Sequence, residues 1–426
     1  MFHRLKLFII SLCFCSTICG ARPIYVAPEP KLILIPANTD PVASGEYVYF
    51  GSKKKLWKVK PGVDPVSLPN DFGVKEDYDS PQPMIDFNGR IVFTTSLGIY
   101  DWVWISDGTE TGTSVLTDSG KIQGMGDFAV GENCFFFTAL TLDAMPWDEL
   151  WVSDGTARGT RRVKSIAPHE NTPTIRYLCV VGNDVFFARR NADTGWELWR
   201  SNGTDEGTLL VKDIVPGSAS SDPRLSVALN GNLFFVASTA AGVQLWRSDG
   251  SDAGTSAVTP TITAIESTIA IDSHIVFTGR TSTHDLYRSD GTLSGLAKVL
   301  SLPWSTTYSD KLAFGHGKVY LGADTDLYGT DGFSWGWHSS GILPYVHLTP
   351  MPSGVFFANT EIGYCSKDNR FFKSYDVMPG AGGSYPRKLT ALGSTVYFTA
   401  SGPSGFGLYS IEEPVETAAR GWENYR

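Results

Sequence analysis

From Arg224 to Leu229 the residues largely alternate between apolar and polar, and the run stops at the turn Asn230-Gly231. The next four, Leu233-Phe234-Phe235-Val236, are apolar without a break, the pattern of a strand buried on both faces. Gln244-Leu245-Trp246-Arg247 makes a third short run, and a fourth follows Gly254-Thr255. This set of four recurs along the chain. The second run returns as Ile91-Val92-Phe93, Phe135-Phe136-Phe137, Val185-Phe186-Phe187, Ile275-Val276-Phe277, Val319-Tyr320, Val355-Phe356-Phe357 and Val396-Tyr397-Phe398. One aromatic marks each third run: Trp57, Trp104, Trp151, Trp199, Trp246, Tyr287, Tyr328, Tyr364 and Tyr409, spaced 36 to 48 residues apart. No stretch beyond the first 21 residues carries a long apolar pattern of helical period. Four strands per repeat and no helix predict an all-β chain: a single closed β-propeller of nine four-stranded blades, or eight if the Tyr364 block has lost its blade.

The ends predict how the ring closes. Lys31-Leu32-Ile33-Leu34-Ile35, stopped by Pro36, is a β-like run standing alone before the first block, and the last block stops at Ile411 after its third strand. Lys31–Ile35 is therefore placed to supply the missing outer strand and protect two sheet edges. Residues 22–411 are read as the propeller, and 412–426, polar and without strand pattern, as a loose tail. Residues 1–21 read as a secretory signal: Arg4 and Lys6 precede the apolar run Leu7 to Cys15, and Gly20 and Ala21 offer a small-residue cleavage site. That run is short for a transmembrane helix, and no other stretch could span a membrane.

A hydrophobic content of 42% can bury a large core, and 24 Phe, 17 Tyr, 12 Trp and 44 Gly suit short aromatic strands joined by tight turns. Losing Arg4 and Lys6 with the leader takes the basic residues from 35 to 33 against 44 acidic ones, a net charge of −11. Such a surface repels phosphate backbones and argues against nucleic acid as a partner. Cys13, Cys15 and Cys19 leave with the signal; Cys134, Cys179 and Cys365 remain, as buried thiols or with one Cys134–Cys179 disulfide.

Between third and fourth runs a polar turn recurs. Ser-Asp-Gly-Thr stands at Ser106–Thr109, Ser153–Thr156 and Ser289–Thr292, Ser-Asn-Gly-Thr at Ser201 and Ser-Asp-Gly-Ser at Ser248; Thr330-Asp331-Gly332 keeps only the centre. An Asp or Asn side chain bonds nearby backbone N–H groups and Gly takes positive φ, so Asp107-Gly108, Asp154-Gly155, Asn202-Gly203, Asp249-Gly250, Asp290-Gly291 and Asp331-Gly332 are read as structural turns. A second Gly-Thr would set the start of the outer strand. Calcium binding is the alternative, but each turn offers one carboxylate and Asn202 replaces it in the best-preserved copy. No metal or cofactor is expected. Asn202-Gly203-Thr204 is also the chain's one Asn-x-Ser/Thr sequon, making Asn202 a glycosylation candidate.

These units resemble the ELWxxDGT repeat family, also associated with hyalin-like repeats, of large secreted and surface proteins. The resemblance is strong from Val103 to Val299 and weaker at both ends, where Leu56-Trp57-Lys58-Val59 and Tyr364–Asp368 lack the Gly-Thr partners. It implies a propeller outside the cell and brings no catalytic residue set.

The third-strand aromatics are read as packing between blades rather than as a sugar-stacking ladder. No His-Glu-x-x-His, Gly-x-Ser-x-Gly or phosphate-cradling loop occurs. His169, His274, His284, His316, His338 and His347 share no repeat position, and Arg176, Arg189, Arg190, Arg224 and Arg280 are candidates for binding a carboxylate by type only. The expected function is a monomeric, secreted or surface-exposed binding or adhesion module recognising an extracellular protein or glycan. A propeller glycosidase or polysaccharide lyase, and a purely architectural surface protein, are the alternatives. An acid pair or an arginine trio in the central funnel would favour the enzyme.

Overall fold

Alternate residues of the strand Asn232–Thr239 serve two different neighbours. Phe234 and Val236 pack with Ile275 and Phe277 on one side, while Leu233, Phe235 and Ala237 pack with Phe186 and Leu198 on the other. An apolar run without alternation is therefore what a sheet sandwiched between two sheets requires. The computed structural model repeats this arrangement nine times. It describes residues 24–26, 28–34, 36–37, 39–53, 55–68, 84–97, 100–117, 122–123, 126–141, 148–164, 175–302, 312–315, 317–323, 326–330, 335–339, 347–358, 360–367, 372–379 and 383–417.

Blades 1 to 8 occupy residues 42–67, 84–115, 128–164, 175–212, 224–257, 264–302, 313–339 and 347–375, each an antiparallel sheet of four strands in sequence order. Ile122–Gln123 additionally bonds the third strand of blade 2 and the second of blade 3. Blade 9 takes three strands from residues 387–412 and its outer strand, Lys31–Leu34, from the other end of the chain. Lys31 lies opposite Ser410 and Leu34 opposite Leu408. The innermost strands adjoin in series, and that of blade 9 meets that of blade 1. The fold is a nine-bladed β-propeller, closed as the isolated apolar run predicts, and the Tyr364 block keeps its blade. Outside the ring Ile24–Val26 pairs with Val415–Thr417, so the segment 412–426, read as a loose tail, starts on the last residue of the strand Gly405–Glu412 and has three further backbone-paired residues.

The third-strand aromatics of blades 1 to 6 and 9 face the preceding blade, whereas Tyr364 of blade 8 packs with Val396 and Phe398 of the following one. Trp57 lies opposite Phe50, Trp104 opposite Phe93, Trp151 opposite Phe137 and Trp246 opposite Phe235. Trp151 stacks on Phe137 at 5.8 Å between centroids and packs against Phe87, Val92 and Ile105 of blade 2. Each such ring is interblade mortar, worth about 3–5 kcal/mol if truncated to alanine.

Strand direction divides the two faces of the ring. With four antiparallel strands per blade, the turns between strands 1 and 2 and between strands 3 and 4 share one face. The turns between strands 2 and 3 and the crossovers to the next blade share the other. We call these the turn face and the crossover face. The Asp-Gly turns all lie on the first.

Candidate functional site

The turn face is a set of locked turns. In blade 3 the Asp154 carboxylate accepts from the Thr156 N–H at 2.9 Å and from its hydroxyl at 2.7 Å. Gly155 sits at φ +83° and donates its N–H to the Ser153 hydroxyl at 3.1 Å, which in turn pairs with Thr160 at 2.7 Å. Gly159 lies so close to Asp154 that a Cβ there would overlap the carboxyl group. The same bonds recur around Asp107-Gly108, Asn202-Gly203 and Asp249-Gly250, and in part around Asp290-Gly291. Asp331 and Gly332 lie outside the described residues. The Thr156 hydroxyl holds the Asp154 carboxyl below the usual carboxylate range, and Thr109, Ser251 and Thr292 do so for Asp107, Asp249 and Asp290.

These turns also fasten each blade to the one before it. Lys58 of blade 1 donates to the Gly108 carbonyl at 2.7 Å, and Arg161 of blade 3 donates to that of Gly203 at 2.6 Å. Lys212 of blade 4 reaches the Asp252 carbonyl at 3.2 Å. One oxygen of each Asp or Asn in these turns thus serves the fold. Asn202 is exposed, and its Oδ1 accepts from both the Thr204 N–H and hydroxyl.

A second device, not anticipated above, ties the crossovers. Glu197 is fully buried and accepts from the N–H groups of Ile214 (3.1 Å), Val215 (3.3 Å) and Ser221 (3.0 Å) and from the Ser221 hydroxyl (2.5 Å). Burial raises its carboxyl pKa, against the opposing pull of these donors. In blade 8 Glu361 accepts from the N–H groups of Val377 and Ser384 and from the Ser384 hydroxyl. The signal was in the sequence: Asp213-Ile214-Val215-Pro216-Gly217 with Ser221, and Asp376-Val377-Met378-Pro379-Gly380 with Ser384, have the same spacing.

The arginines that sequence could group only by type share the crossover face. Arg176 and Arg224 begin inner strands, whereas Arg189, Arg190 and Arg280 end second strands, and in an antiparallel blade these are the same end. Arg176, Arg224 and Arg387 even share a register, opposite Ala188, Val236 and Thr399. The residue after each has positive φ: Tyr177 at 62°, Leu225 at 52° and Lys388 at 33°, with a bulge in the ladder. A strain repeated in three blades belongs to the strand architecture rather than to one site.

This trio does not converge on the axis. The Arg176 guanidinium lies 3.6 Å from the Trp196 ring centroid and that of Arg387 5.2 Å from Phe406, while Arg224 bonds the Asp222 carbonyl and the Ser238 hydroxyl, both at 3.3 Å. Arg224 also pairs with the Asp222 carboxylate at 3.5 Å, and Arg280 with Glu266 at 3.9 Å. Among the described residues Arg176 and Arg189 have no carboxylate partner. Tyr177, 41% exposed, stands beside Arg176 and gives its N–H to Asp127 at 2.6 Å. Around the funnel the described inner strands hold Arg176, Arg224, Arg387 and Lys388 but only two acids, Glu266 at the crossover end and Asp86 at the turn end. Among the described residues the inner strands thus carry more basic than acidic side chains, the two acids do not form a pair, and Asp127 and Asp222 lie beside Tyr177 and Arg224 at the crossover end.

His284 reaches Glu266 at 3.0 Å in blade 6, and His274 contacts Ser273 at 3.1 Å on the opposite face. His169 and His316, and the His338 side chain, lie outside the described residues. Among those described, no three His, Cys, Asp or Glu side chains are grouped to hold a metal ion, and no helix is long and apolar enough to cross a membrane. Cys134, Cys179 and Cys365 form no disulfide with one another, and burial pushes the Cys179 thiol up to about 11.

No family model matches the chain, and no curated protein does. Among solved structures it is similar to a computationally designed protein, Ika8, with TM-score 0.46 and 15% identity over 76% of this chain and 93% of that one. It is similar also to puromycin hydrolase, with TM-score 0.44 and 13% identity over 78% of this chain and 59% of that one. A GH74 enzyme of Niastella koreensis gives TM-score 0.44 and 10% identity over 91% of this chain and 73% of that one. Likeness at this level carries no argument, and both the fold and the blade count rest on the strand ladders described above.

Proposed function

We propose that the chain is a secreted binding module of ELWxxDGT-type repeats, whose crossover face at blades 4 and 5 recognises an acidic glycan. The observation that carries this reading is the gathering of Arg176, Arg189, Arg190 and Arg224 at one end of two adjacent blades, beside Trp196 and the exposed Tyr177. Guanidinium groups bind carboxylate and sulfate through paired N–H donors, and aromatic rings offer flat faces to sugars. The turn face favours such a ligand less, because its Asp and Asn side chains each accept bonds within their own turn. On a chain secreted by a glycosylating host, Asn202 would carry its glycan on that turn face and leave the crossover face clear.

Equilibrium binding of uronate and sulfated oligosaccharides, against neutral ones of the same length, tests the proposal. Binding of the acidic set alone, weakening with salt, is expected. Equal binding of both sets, or of neither, contradicts it; binding of acidic peptides only would move the ligand to the protein class.

A further inference from the structure

Each blade has a position two residues beyond the second-strand residue that faces the third-strand aromatic. In four blades it is alanine, including Ala139 and Ala237 on either side of blade 4; in three others it is Ser52, Thr95 or Gly279, while in blade 8 Phe356 and Ala358 face the following blade instead. In blade 4 it is Arg189, only 8% exposed. A small side chain suits this place because the preceding blade packs against that side of the sheet. Arginine there is a buried cation where the fold elsewhere puts a methyl group.

Among the described residues the surroundings leave the Nε of that cation without an acceptor. The guanidinium stacks on Trp199, 4.2 Å from the ring centroid, and its Nε is buried. The Trp199 indole N–H is likewise buried and unpartnered. In blade 2 the residue at this position, Thr95, accepts the equivalent indole N–H of Trp104 at 2.9 Å; arginine, having only donors, cannot. The indoles of Trp151 and Trp246 also lack acceptors, but the residues at this position in their blades are Ala139 and Ala237, which add no donor. Glu197, opposite Arg189 in the ladder, commits both carboxylate oxygens to the crossover. Burial pushes the Arg189 pKa down to about 10, which leaves it charged at neutral pH.

We propose that Arg189 and Trp199 form an oxyanion subsite between blades 3 and 4, taking a carboxylate or sulfate group. Two buried donors side by side, one of them cationic, ask for one acceptor of negative charge. As the place where the acidic group of a glycan enters the protein, the subsite rests on the function proposed above. Its occupancy by a small free oxyanion can be measured without that function.

The test is thermal unfolding in sodium sulfate, sodium acetate or sodium chloride at matched ionic strength. Sulfate or acetate is expected to raise the melting temperature of the wild type by a few degrees beyond chloride, since an ion bound only by the native state stabilises it. Arg189→Ala is expected to melt higher than the wild type in chloride, having lost an uncompensated buried charge at a position where alanine is the commonest residue. It should also lose the oxyanion response beyond the general stabilisation that excluded salts give any folded chain; Arg189→Lys, lacking the planar fork, should lose most of that excess. The proposal is overturned if sulfate and acetate act on the wild type no more than chloride does, or if either variant responds as the wild type does. An Arg189-dependent response without binding of acidic oligosaccharides would uphold the subsite and refute the glycan.

Discussion

Gly159 lies directly against the Asp154 carboxyl group, so close that a methyl group on it would occupy the space of the carboxyl carbon. Gly112 and Asp107, Gly207 and Asn202, Gly254 and Asp249, and Gly295 and Asp290 repeat the relationship. Gly155 is needed for its φ of +83°, but Gly159 is needed for its missing side chain. Gly159→Ala should therefore cost about 1–3 kcal/mol by overpacking, with no change of binding on the opposite face. Denaturant unfolding measures it, and an unaltered midpoint would show that the turn can open at no cost.

Asp154→Asn copies what Asn202 already does in blade 4. Because Thr156 holds the Asp154 carboxyl below the usual range, its bonds contribute stability above the ordinary carboxylate pKa and lose it as pH falls through the folded value. The variant should match the wild type within about 1 kcal/mol at neutral pH and lose less stability than it on acidification below about pH 4. Parallel acid titrations of the two proteins would contradict this.

Glu197→Gln places an amide among three backbone N–H donors, and half of that amide is itself a donor. A loss of about 1–3 kcal/mol is expected. Limited proteolysis should find the crossover of residues 213–221 cut sooner in the variant than in the wild type. Cutting at the same rate would mean that the crossover holds its shape without the carboxylate.

Deleting residues 22–36 removes the outer strand of blade 9 and the partner of Val415–Thr417 together. The third strand of blade 9 then becomes an exposed edge. A melting temperature lower by many degrees, or aggregation, is expected; unchanged melting and solubility would place the closure elsewhere.

The blades were legible because each strand carries its own burial pattern, and because Trp57 to Tyr409 mark the same place in every repeat. Ring closure was legible for the same reason: Lys31–Ile35 is apolar with nothing beside it in sequence to cover it. Val415–Thr417 was not, since a three-residue ladder outside the ring has no burial to impose a pattern. The site was harder. Arg176 and Arg190 sit 14 positions apart, and only the antiparallel ladder with its bulge puts both at one end of a blade. Arg189 stands out only against the small residues that share its register, which an unaligned chain does not display. Glu197 and Ser221 could have been found, through the Pro-Gly crossover shared by blades 4 and 8.

The central claim is that the crossover face, and not the turn face, binds the ligand. Arg176→Glu and Arg247→Glu reverse the same charge on opposite faces: Arg176 stacks on Trp196 at the crossover end, whereas Arg247 bonds Asn232 at 3.0 Å beside the Asp249 turn. Calorimetric titration of both variants with a uronate oligosaccharide is the most direct test. The expected result is a loss of affinity of about tenfold or more for Arg176→Glu, with Arg247→Glu binding as the wild type does. Equal losses, or a loss confined to Arg247→Glu, would contradict it.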